Sequence, residues 1–483
     1  MNKKIYDVII VGGGVIGCSI ARYLSRYKVN GLLIEKHSDV GEETSCANSA
    51  IVHSGYDPLP NTRKAYFNVK GNKMMEEVCK ELHVPFIKNG SLTIGFNEED
   101  RKTIENLFSR AKSNGVDARI VEKEELHEME PLLNDECLCA LYCKDSGIVS
   151  PFELTIGFME NAMDNGFELN LNEKVEKIIK NNELFEVITN KGEYLSKTLV
   201  NAAGLYSDEI LSNLEKPSFK INARKGEYIL LDHFNNDWCK HTLFMCPTKV
   251  GKGVLISPTT SFNYIIGPSN DSSSKEDTST DTSTISILKE TAAKLIKNIP
   301  YSEVIRTFAG VRANPDNDDF IIEESKTNPG LFNVAGIMSP GLASSPAIGE
   351  YVSDLIKEKL KLEKNDNYKS KRKEVLSLNS LGIDKYNELV KKCPAYGHMI
   401  CRCEKVSEGQ IIDAIHRNCG AKTVKGVKKR LRAGFGKCQG SFCEEEVCKI
   451  LARELNVPLS SILYKDEGSE VFKYKSKGNN YDE

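Results

Sequence analysis

The sequence has no apolar run approaching the roughly 18–20 residues that cross a bilayer, no internal repeat and no dominant charge. Its 65 Lys and Arg against 68 Asp and Glu leave a formal charge of −3, so there is no basic field to gather nucleic acid. The opening Met1-Asn-Lys-Lys runs at once into a strand-like segment, without the apolar and small-residue pattern of a secretory signal. These absences predict a chain with no transmembrane segment and no nucleic-acid partner. They place it in the cytoplasm, reaching the inner face of the membrane only through a partner. What remains is an ordinary globular composition, 40% hydrophobic and 28% charged. A length of 483 residues suggests two to three domains.

Cysteine is the exception. Fifteen occur, and in a reducing compartment they read as thiols rather than disulfides. Cys18, Cys46, Cys79, Cys239 and Cys246 are scattered, and Cys137, Cys139 and Cys143 fall in an apolar strand-like stretch. All of these read as small buried residues. A denser group near the C-terminus stands apart. Residues 1–365 alternate strand-like and helix-like patterns and read as one large α/β unit. Residues 366–394 form a connection, with a polar surface run at 365–373 and a helical stretch at Ile383–Lys392. Residues 395–465 make a small cysteine-bearing module, and 466–483 a polar, fraying tail. The Ser-, Thr- and Asp-rich stretch 272–286 reads as a surface loop leading into a capped helix.

Residues Ile5–Val11 make a short, β-branched strand that ends in Gly12-Gly13-Gly14-Val15-Ile16-Gly17. A helical pattern follows to about Tyr27, with Ile16, Ile20 and Leu24 on one face. A second strand, Gly31-Leu-Leu-Ile, then runs to Glu35. In this context a Gly-x-Gly-x-x-Gly is informative. Gly12 permits the tight turn, Gly14 lets the backbone approach a pyrophosphate, and Gly17 lets helix and strand pack. The helix N-terminus offers free N–H groups and partial positive charge. Glu35 can accept both ribose hydroxyls of an adenosine and would repel a 2′-phosphate, so FAD or NAD is expected rather than NADP. Two later segments separate those. Val200-Asn-Ala-Ala-Gly204 is a strand entering a small-residue turn that could return beside the nucleotide. Leu331-Phe-Asn-Val-Ala-Gly-Ile-Met-Ser-Pro-Gly-Leu342 is a strand, a small-residue turn and a helix start. That helix N-terminus could stabilise negative charge on a reduced flavin.

Four segments together resemble the FAD-dependent oxidoreductases that include D-amino-acid oxidase, glycerol-3-phosphate dehydrogenase and L-2-hydroxyglutarate oxidase. They are Glu43-Thr-Ser-Cys-Ala-Asn-Ser-Ala-Ile-Val-His-Ser-Gly-Tyr56, Asn201-Ala-Ala-Gly204, Phe308-Ala-Gly-Val-Arg312 and Ala335-Gly-Ile-Met-Ser-Pro-Gly341. The resemblance covers about residues 5–360. It implies a Rossmann-like FAD-binding domain of the glutathione-reductase type, with an interleaved α+β substrate domain over the flavin. It also implies FAD contacts at Gly12, Gly14, Gly17, Glu35, Thr44, Ser45 and Gly204, and at the turn bearing Gly336, Ser339, Gly341 and Leu342.

Oxidising an alcohol at a flavin needs a base for the hydroxyl proton and an anchor that fixes the carbon. His53 is the candidate base, because it follows the flavin-contacting segment and would titrate near neutrality; a structural histidine is the other reading. Arg312 is the candidate anchor. Its planar fork suits a carboxylate or phosphate, and in the resembling family an arginine here binds the substrate anion; a surface salt bridge is the other reading. Lys64, Arg224 and Lys225 are weaker candidates for added positive charge.

The resemblance divides on substrate. Glycerol-3-phosphate dehydrogenases usually carry an arginine shortly after a His-Gly-Gly or His-Ser-Gly element, whereas here His53-Ser-Gly55 leads into Tyr56 and Asp57. That element and Thr62-Arg-Lys-Ala65 look closer to L-2-hydroxyglutarate oxidases. Ala223-Arg-Lys-Gly-Glu-Tyr228 and Gly251-Lys-Gly-Val-Leu-Ile-Ser-Pro258 resemble instead the short anaerobic-type glycerol-3-phosphate dehydrogenases with an attached ferredoxin-like domain. Such a dehydrogenase is the first expectation and an L-2-hydroxyacid dehydrogenase the second. An amino-acid dehydrogenase subunit and a non-catalytic electron-transfer subunit are the remaining alternatives.

Near the C-terminus, Cys401-Arg-Cys403 and Cys438-Gln-Gly-Ser-Phe-Cys443 bracket a helical segment. Zinc sites usually use Cys-x-x-Cys knuckles, and neither pair has that spacing. The two pairs and their interval resemble the bacterioferritin-associated-ferredoxin type of [2Fe–2S] domain, a small helical iron–sulfur domain, over about 396–461. The resemblance implies that these four cysteines hold the cluster. Ser407 is expected to cap a helix at 408–417, and 443–455 to form another. Cys393, Cys419 and Cys448 break the spacing and read as structural. The basic run Lys425, Lys428, Lys429, Arg430 and Arg432 reads as a solvated face, with charge compensation for the cluster or docking of an acidic partner as other readings. A hydride acceptor joined to a one-electron carrier implies a dehydrogenase. It would take a small anionic substrate and serve a redox-partner flavoprotein or membrane electron acceptor.

Overall fold

Val8, Ile9 and Ile10 are buried on both faces of the strand Ile5–Val11, as a central parallel strand requires. The computed structural model, which describes residues 4–247, 253–378 and 381–473, sets this strand parallel to Gly31–Ile34 on one side and Glu193–Asn201 on the other. Glu168–Asn170 and Leu331–Ala335 extend the parallel set. A hairpin of Val175–Asn181 and Leu184–Thr189, with the antiparallel strand Ile321–Glu324, completes eight strands. Register does the positioning. Val11 lies beside Ile34 and Asn201, and Asn201 beside Asn333. The turns at 12–14, 202–204 and 336–340 therefore share one edge, at the carboxyl ends of the strands, where open α/β sheets bind ligands.

The helix Val15–Leu24 starts at the first of these turns and ends at Leu24, short of the expected Tyr27. It packs against Gly341–Leu360, where Ser19 Oγ donates to Ser345 O at 2.8 Å. Its buried Arg22 pairs with Glu81 on the helix Arg63–Leu82.

A second, nine-stranded sheet covers the same edge, so the α/β fold with an interleaved sheet domain is as expected. Its longest strands, Ile221–Leu231 and Val304–Pro315, run antiparallel with Arg224 opposite Arg312. Cys137, Cys139 and Cys143 are buried in this part, as read. The helix after the Ser- and Thr-rich stretch spans Thr282–Ala292 and is capped by Asp281. Gly251 and Lys252 lie outside the described residues.

The C-terminal module pairs Met399–Cys401 with Val406–Ser407 and closes the helices Glu408–His416, Val424–Leu431 and Glu444–Leu455 on its own core, which includes Ile411, Ile415, Val427 and Leu451. Ser407 and Gln410 cap the first helix reciprocally. Among the described residues no helix is long and apolar enough to cross a membrane.

Two expectations change here. The basic run is not a solvated face, because Lys428, Lys429 and Arg430 are buried. Arg430 forks onto Asp39 at 2.6 and 3.0 Å, Lys429 pairs with both Asp39 and Glu42, and Lys425 reaches Glu42 at 2.7 Å. The run thus docks the module onto the loop after Gly31–Ile34. The connection at 365–373 runs over the surface as read and is pinned at its buried Arg372, which, like the module's Arg417, reaches Glu160, at 2.7 and 2.6 Å. The tail folds back at its start, where Asp466 accepts the Ser38 N–H at 2.9 Å and pairs with His37 at 2.9 Å; residues 474–483 lie outside the described ones. In the two changed cases the partner charge is hundreds of residues away, so local polarity misread the site as exposed.

Candidate functional site

A cavity of about 360 Å³ opens where the clustered turns meet the second sheet. Gly12 takes φ +111°, and a Cβ there would stand 2.4 Å from Ala202 O, so only glycine lets the first two turns touch. A Cβ on Gly17 would lie 2.0 Å from Gly12 O. Ser45 Oγ accepts the Val15 N–H at 2.9 Å, tying its segment to the helix start. Other first-turn N–H groups have no acceptor within the helix. Thr44 Oγ1 donates to Val311 O at 2.6 Å, tying the same segment to the second sheet.

Gly14, Thr44, Ser45, Gly204, Ser339, Gly341 and Leu342 all line this cavity. Gly336 supports it from behind, packed on Pro315. Glu35 lies outside it, buried at the end of its strand, where it accepts N–H groups from Gly13 at 2.6 Å and His37 at 3.0 Å. Burial raises its carboxyl above the ordinary value, against the pull of His37 and those N–H groups.

His53 and Arg312 both line the cavity. The His53 ring stacks on Phe244, with centroids 5.6 Å apart, and its carbonyl accepts from Asn68 and Asn72 at 2.6 and 3.2 Å. Arg312 donates to Asn270 Oδ1 at 3.1 Å and to Ser269 O at 2.8 Å. Arg224, directly opposite, donates to the same Asn270 oxygen at 3.2 Å, to Asn270 O at 2.8 Å and to Ser272 Oγ at 2.9 Å. All these acceptors are neutral, and among the described residues neither arginine has a carboxylate partner.

The other two cations stand differently. Lys64 has its ammonium 3.8 Å from Met338 Sδ, beside the cavity, but is paired with Asp318 at 2.7 Å. Lys225 is not brought to the site. Side chains alternate along a strand, so it faces away from Arg224, held by Asp277 at 2.9 Å and Glu227 at 3.4 Å.

Sequence reasoning passed over Asn270, Phe244 and Tyr228, all of which line the cavity. Tyr228 was legible, since it shares a strand face with Arg224 at even spacing; its ring stacks on Phe308 at 4.7 Å. Asn270 sits in a loop after Tyr264–Gly267 and carried no pattern.

In the module, Cys401 ends its strand, Cys403 follows in the turn, and Cys438 and Cys443 lead into Glu444–Leu455. The sulfurs of Cys403 and Cys438 are 3.7 Å apart, and the Cys443 thiol bonds to Cys401. The thiols form two pairs. Two thiol pairs suit two irons. The bond from Cys443, helped by the N–H groups of Gly434 and Glu404, outweighs burial and brings the Cys401 thiol below its ordinary value. A Cβ on Gly436 would stand 2.4 Å from Cys403 Cβ, so the loop closes tightly on the site. Cys401 and Cys443 are buried and Cys403 is exposed. Cys419 and Cys448 are buried apart from these pairs.

The chain matches the family described as FAD dependent oxidoreductase over residues 7–355 and the BFD-like [2Fe-2S] binding domain over residues 399–453. It is 46% identical over 469 residues to the glycerol 3-phosphate dehydrogenase of Caloramator mitchellensis, covering 96% of this chain and 98% of that one. It is 35% identical to the glycerol 3-phosphate oxidase of Mycoplasma genitalium, covering 75% and 97%. The solved structure of dithionite-reduced L-α-glycerophosphate oxidase from Mycoplasma pneumoniae with FAD bound is similar at a TM-score of 0.73 and 31% identity, covering 76% and 98%. FAD and a [2Fe–2S] cluster are the cofactors, and the residues present fit both. Gly14 leaves a cradle at the helix start that a side chain would crowd, its Cβ falling 3.3 Å from Ser45 Oγ, and the four thiols supply two ligands per iron.

Proposed function

We propose that this chain, which belongs to the FAD-dependent oxidoreductase family, oxidises glycerol 3-phosphate to dihydroxyacetone phosphate and hands the electrons through its cluster to a partner acceptor. The observation that carries the reading is the Arg224–Arg312 pair, two uncompensated guanidinium groups at one neutral oxygen. A phosphate dianion answers two such charges better than a single carboxylate does. The arginine missing after Gly55 thus has a counterpart on the second sheet. The similarity along nearly the whole length to a protein named glycerol 3-phosphate dehydrogenase supports the same substrate.

When bound, FAD supplies the hydride acceptor and the cluster a one-electron carrier. Arg312, which lines the cavity, holds the phosphate, Arg224 adds positive charge beside it, and Asn270 keeps the two forks oriented. Neutral His53 takes the proton of the C2 hydroxyl, its ring plane held by Phe244. Tyr228, stacked on Phe308, forms an apolar wall of the cavity. On the module, exposed Cys403 and Phe442, 87% exposed beside Cys443, form the face that would present the bound cluster to a flavoprotein or membrane acceptor. Fifteen cysteines, all free, suit the cytoplasm.

Anaerobic titration tests the substrate. Glycerol 3-phosphate should bleach the flavin. A flavin left oxidised by it but reduced by 2-hydroxyglutarate or proline overturns the reading.

A further inference from the structure

A second cavity, about 730 Å³, lies between the module, the second sheet and the segment that carries Thr44, Ala47 and Asn48. That segment lines both cavities, yet the chemistry above uses none of the charged groups in the larger one. Two of those groups are conspicuous for lacking partners. Lys428 enters from Val424–Leu431 and is 7% exposed. Its basic neighbours on that helix are matched: Lys425 and Lys429 to Glu42, Arg430 to Asp39. Among the described residues the Lys428 ammonium has no hydrogen bond and no carboxylate partner; it stands 4.9 Å from the centroid of the Phe435 ring. Arg306 enters from Val304–Pro315, exposed to the cavity, and is likewise unpaired among the described residues.

A buried cation facing a second cation is costly unless an anion joins them. Burial and then the repulsion of Arg306 lower the Lys428 ammonium, against weaker attractions from Glu444 and Cys443. The acids already lining the cavity do not relieve it. Glu42 and Glu43 are engaged by Lys425, Lys429 and Lys36, and Glu276 by the Tyr206 hydroxyl. Burial raises the Glu153 carboxyl, toward its neutral form. Among aliphatic and hydroxyl side chains, five aromatic rings line the wall: Phe152 and Phe435, with ring centroids 5.8 Å apart, together with Tyr206, Phe308 and Tyr464. The space is far larger than an inorganic anion needs and falls within the about 300–1,000 Å³ of small-molecule sites.

We propose that this cavity is a second ligand site, binding an aromatic mononucleotide with its phosphate between Lys428 and Arg306 and its ring system against the aromatic wall. The proposal is independent of the substrate of the flavin site.

The test uses the holoenzyme, with FAD and cluster retained, titrated calorimetrically with adenosine 5′-phosphate, riboflavin 5′-phosphate and inorganic phosphate. At least one nucleotide should bind about tenfold or more tighter than phosphate, the difference being the ring contacts. Lys428→Met and Arg306→Ala should each weaken that binding by about tenfold or more, as loss of a charge-assisted contact does. Melting temperature and FAD content report whether each variant folds. If Lys428→Met fails that control, the solvent-accessible Arg306→Ala carries the test. Absence of binding by both nucleotides at millimolar concentration overturns the proposal. So does unchanged affinity in Arg306→Ala, equal affinity for inorganic phosphate, or displacement of the nucleotide by glycerol 3-phosphate, which would assign the binding to the flavin-side cavity.

Discussion

Arg224 and Arg312 stand opposite each other on adjacent antiparallel strands and share a single acceptor, Asn270 Oδ1, at 3.2 and 3.1 Å. Like charges so placed repel, and no carboxylate among the described residues separates them. The sheet register fixes their backbones, while Ser269, Asn270 and Ser272 hold the forks. The arrangement is preorganised for an incoming anion: the backbone and the neutral acceptors already hold both cations in place before substrate arrives.

Removing one fork should therefore act on binding. Arg312→Ala should raise the KM for glycerol 3-phosphate by roughly ten- to a hundredfold, corresponding to the ~1.5–3 kcal/mol of a hydrogen bond to a charged group. Arg312→Lys should recover only part of this, because an ammonium lacks the planar fork. Arg224→Ala should show a smaller rise, since Arg224 does not line the cavity. Steady-state kinetics of the three variants decide it, and an unchanged KM in both alanine variants removes the phosphate site.

The proton acceptor separates from the anchor by its kinetic signature. His53→Gln should slow anaerobic flavin reduction by about 10²–10⁴-fold, the usual contribution of general-base catalysis, with little change in KM. It should also abolish the rise in rate with pH that titration of an imidazole produces. Stopped-flow reduction across pH 5.5–8.5 (a span of about 3 units around the ordinary histidine value) measures both. A variant that keeps the rise assigns the proton to another group.

What was legible in the sequence follows the range of the forces involved. The strands Ile5–Val11 and Gly31–Ile34 and the helix Ile383–Lys392 were read to the residue, because burial pattern and turn chemistry are local. The two cysteine motifs were legible because their spacing is local, but the thiols meet across them, Cys403 with Cys438 and Cys401 with Cys443. Lys225 was grouped with Arg224 by adjacency, and the alternation of a strand sends the two to opposite faces. Arg430 looked solvated because its partner, Asp39, lies 391 residues earlier. Asn270, a loop residue with one amide, left no pattern although it joins both arginines.

The Asp39–Arg430 contact makes a prediction about domain docking. Burial alone would raise the Asp39 carboxyl, but Arg430 and Lys429 outweigh it and hold the group well below the usual carboxylate range. Asp39→Ala would leave the buried Arg430 without a carboxylate and Lys429 with Glu42 alone, and breaking such a pair costs about 3–5 kcal/mol. The module should then loosen from the flavin-binding part, seen as earlier melting and faster proteolysis within 366–394. The double variant Asp39→Leu, Arg430→Met should regain much of the loss, since replacing both charges removes the desolvation penalty. Equal melting of Asp39→Ala and the parent chain would show that the contact does not hold the module.

The folded-back tail makes the stability of the chain depend on pH. His37 lies between Asp466 at 2.9 Å and Glu43 at 3.1 Å. Burial disfavours its charge, but the hydrogen bonds to Asp466 and Glu43 and the pull of Glu35 prevail and push it up to about 9. Its folded value thus exceeds the unfolded one of about 6.5. A group raised on folding stabilises fully below its unfolded value and loses that contribution as pH climbs through the folded value. The His37 contribution should therefore be intact below about pH 6.5, decline from there to about 9, and vanish beyond. The parent chain should lose more melting temperature over that interval than His37→Gln, which has no charge to lose. Weakening of the ion pair should also expose residues 464–473 to protease over the same interval, because the neutral ring keeps one N–H for Asp466 and Glu43 to share and leaves Asp466 the Ser38 N–H and Lys465. Parallel melting curves for the two chains across this range would remove His37 as the group responsible.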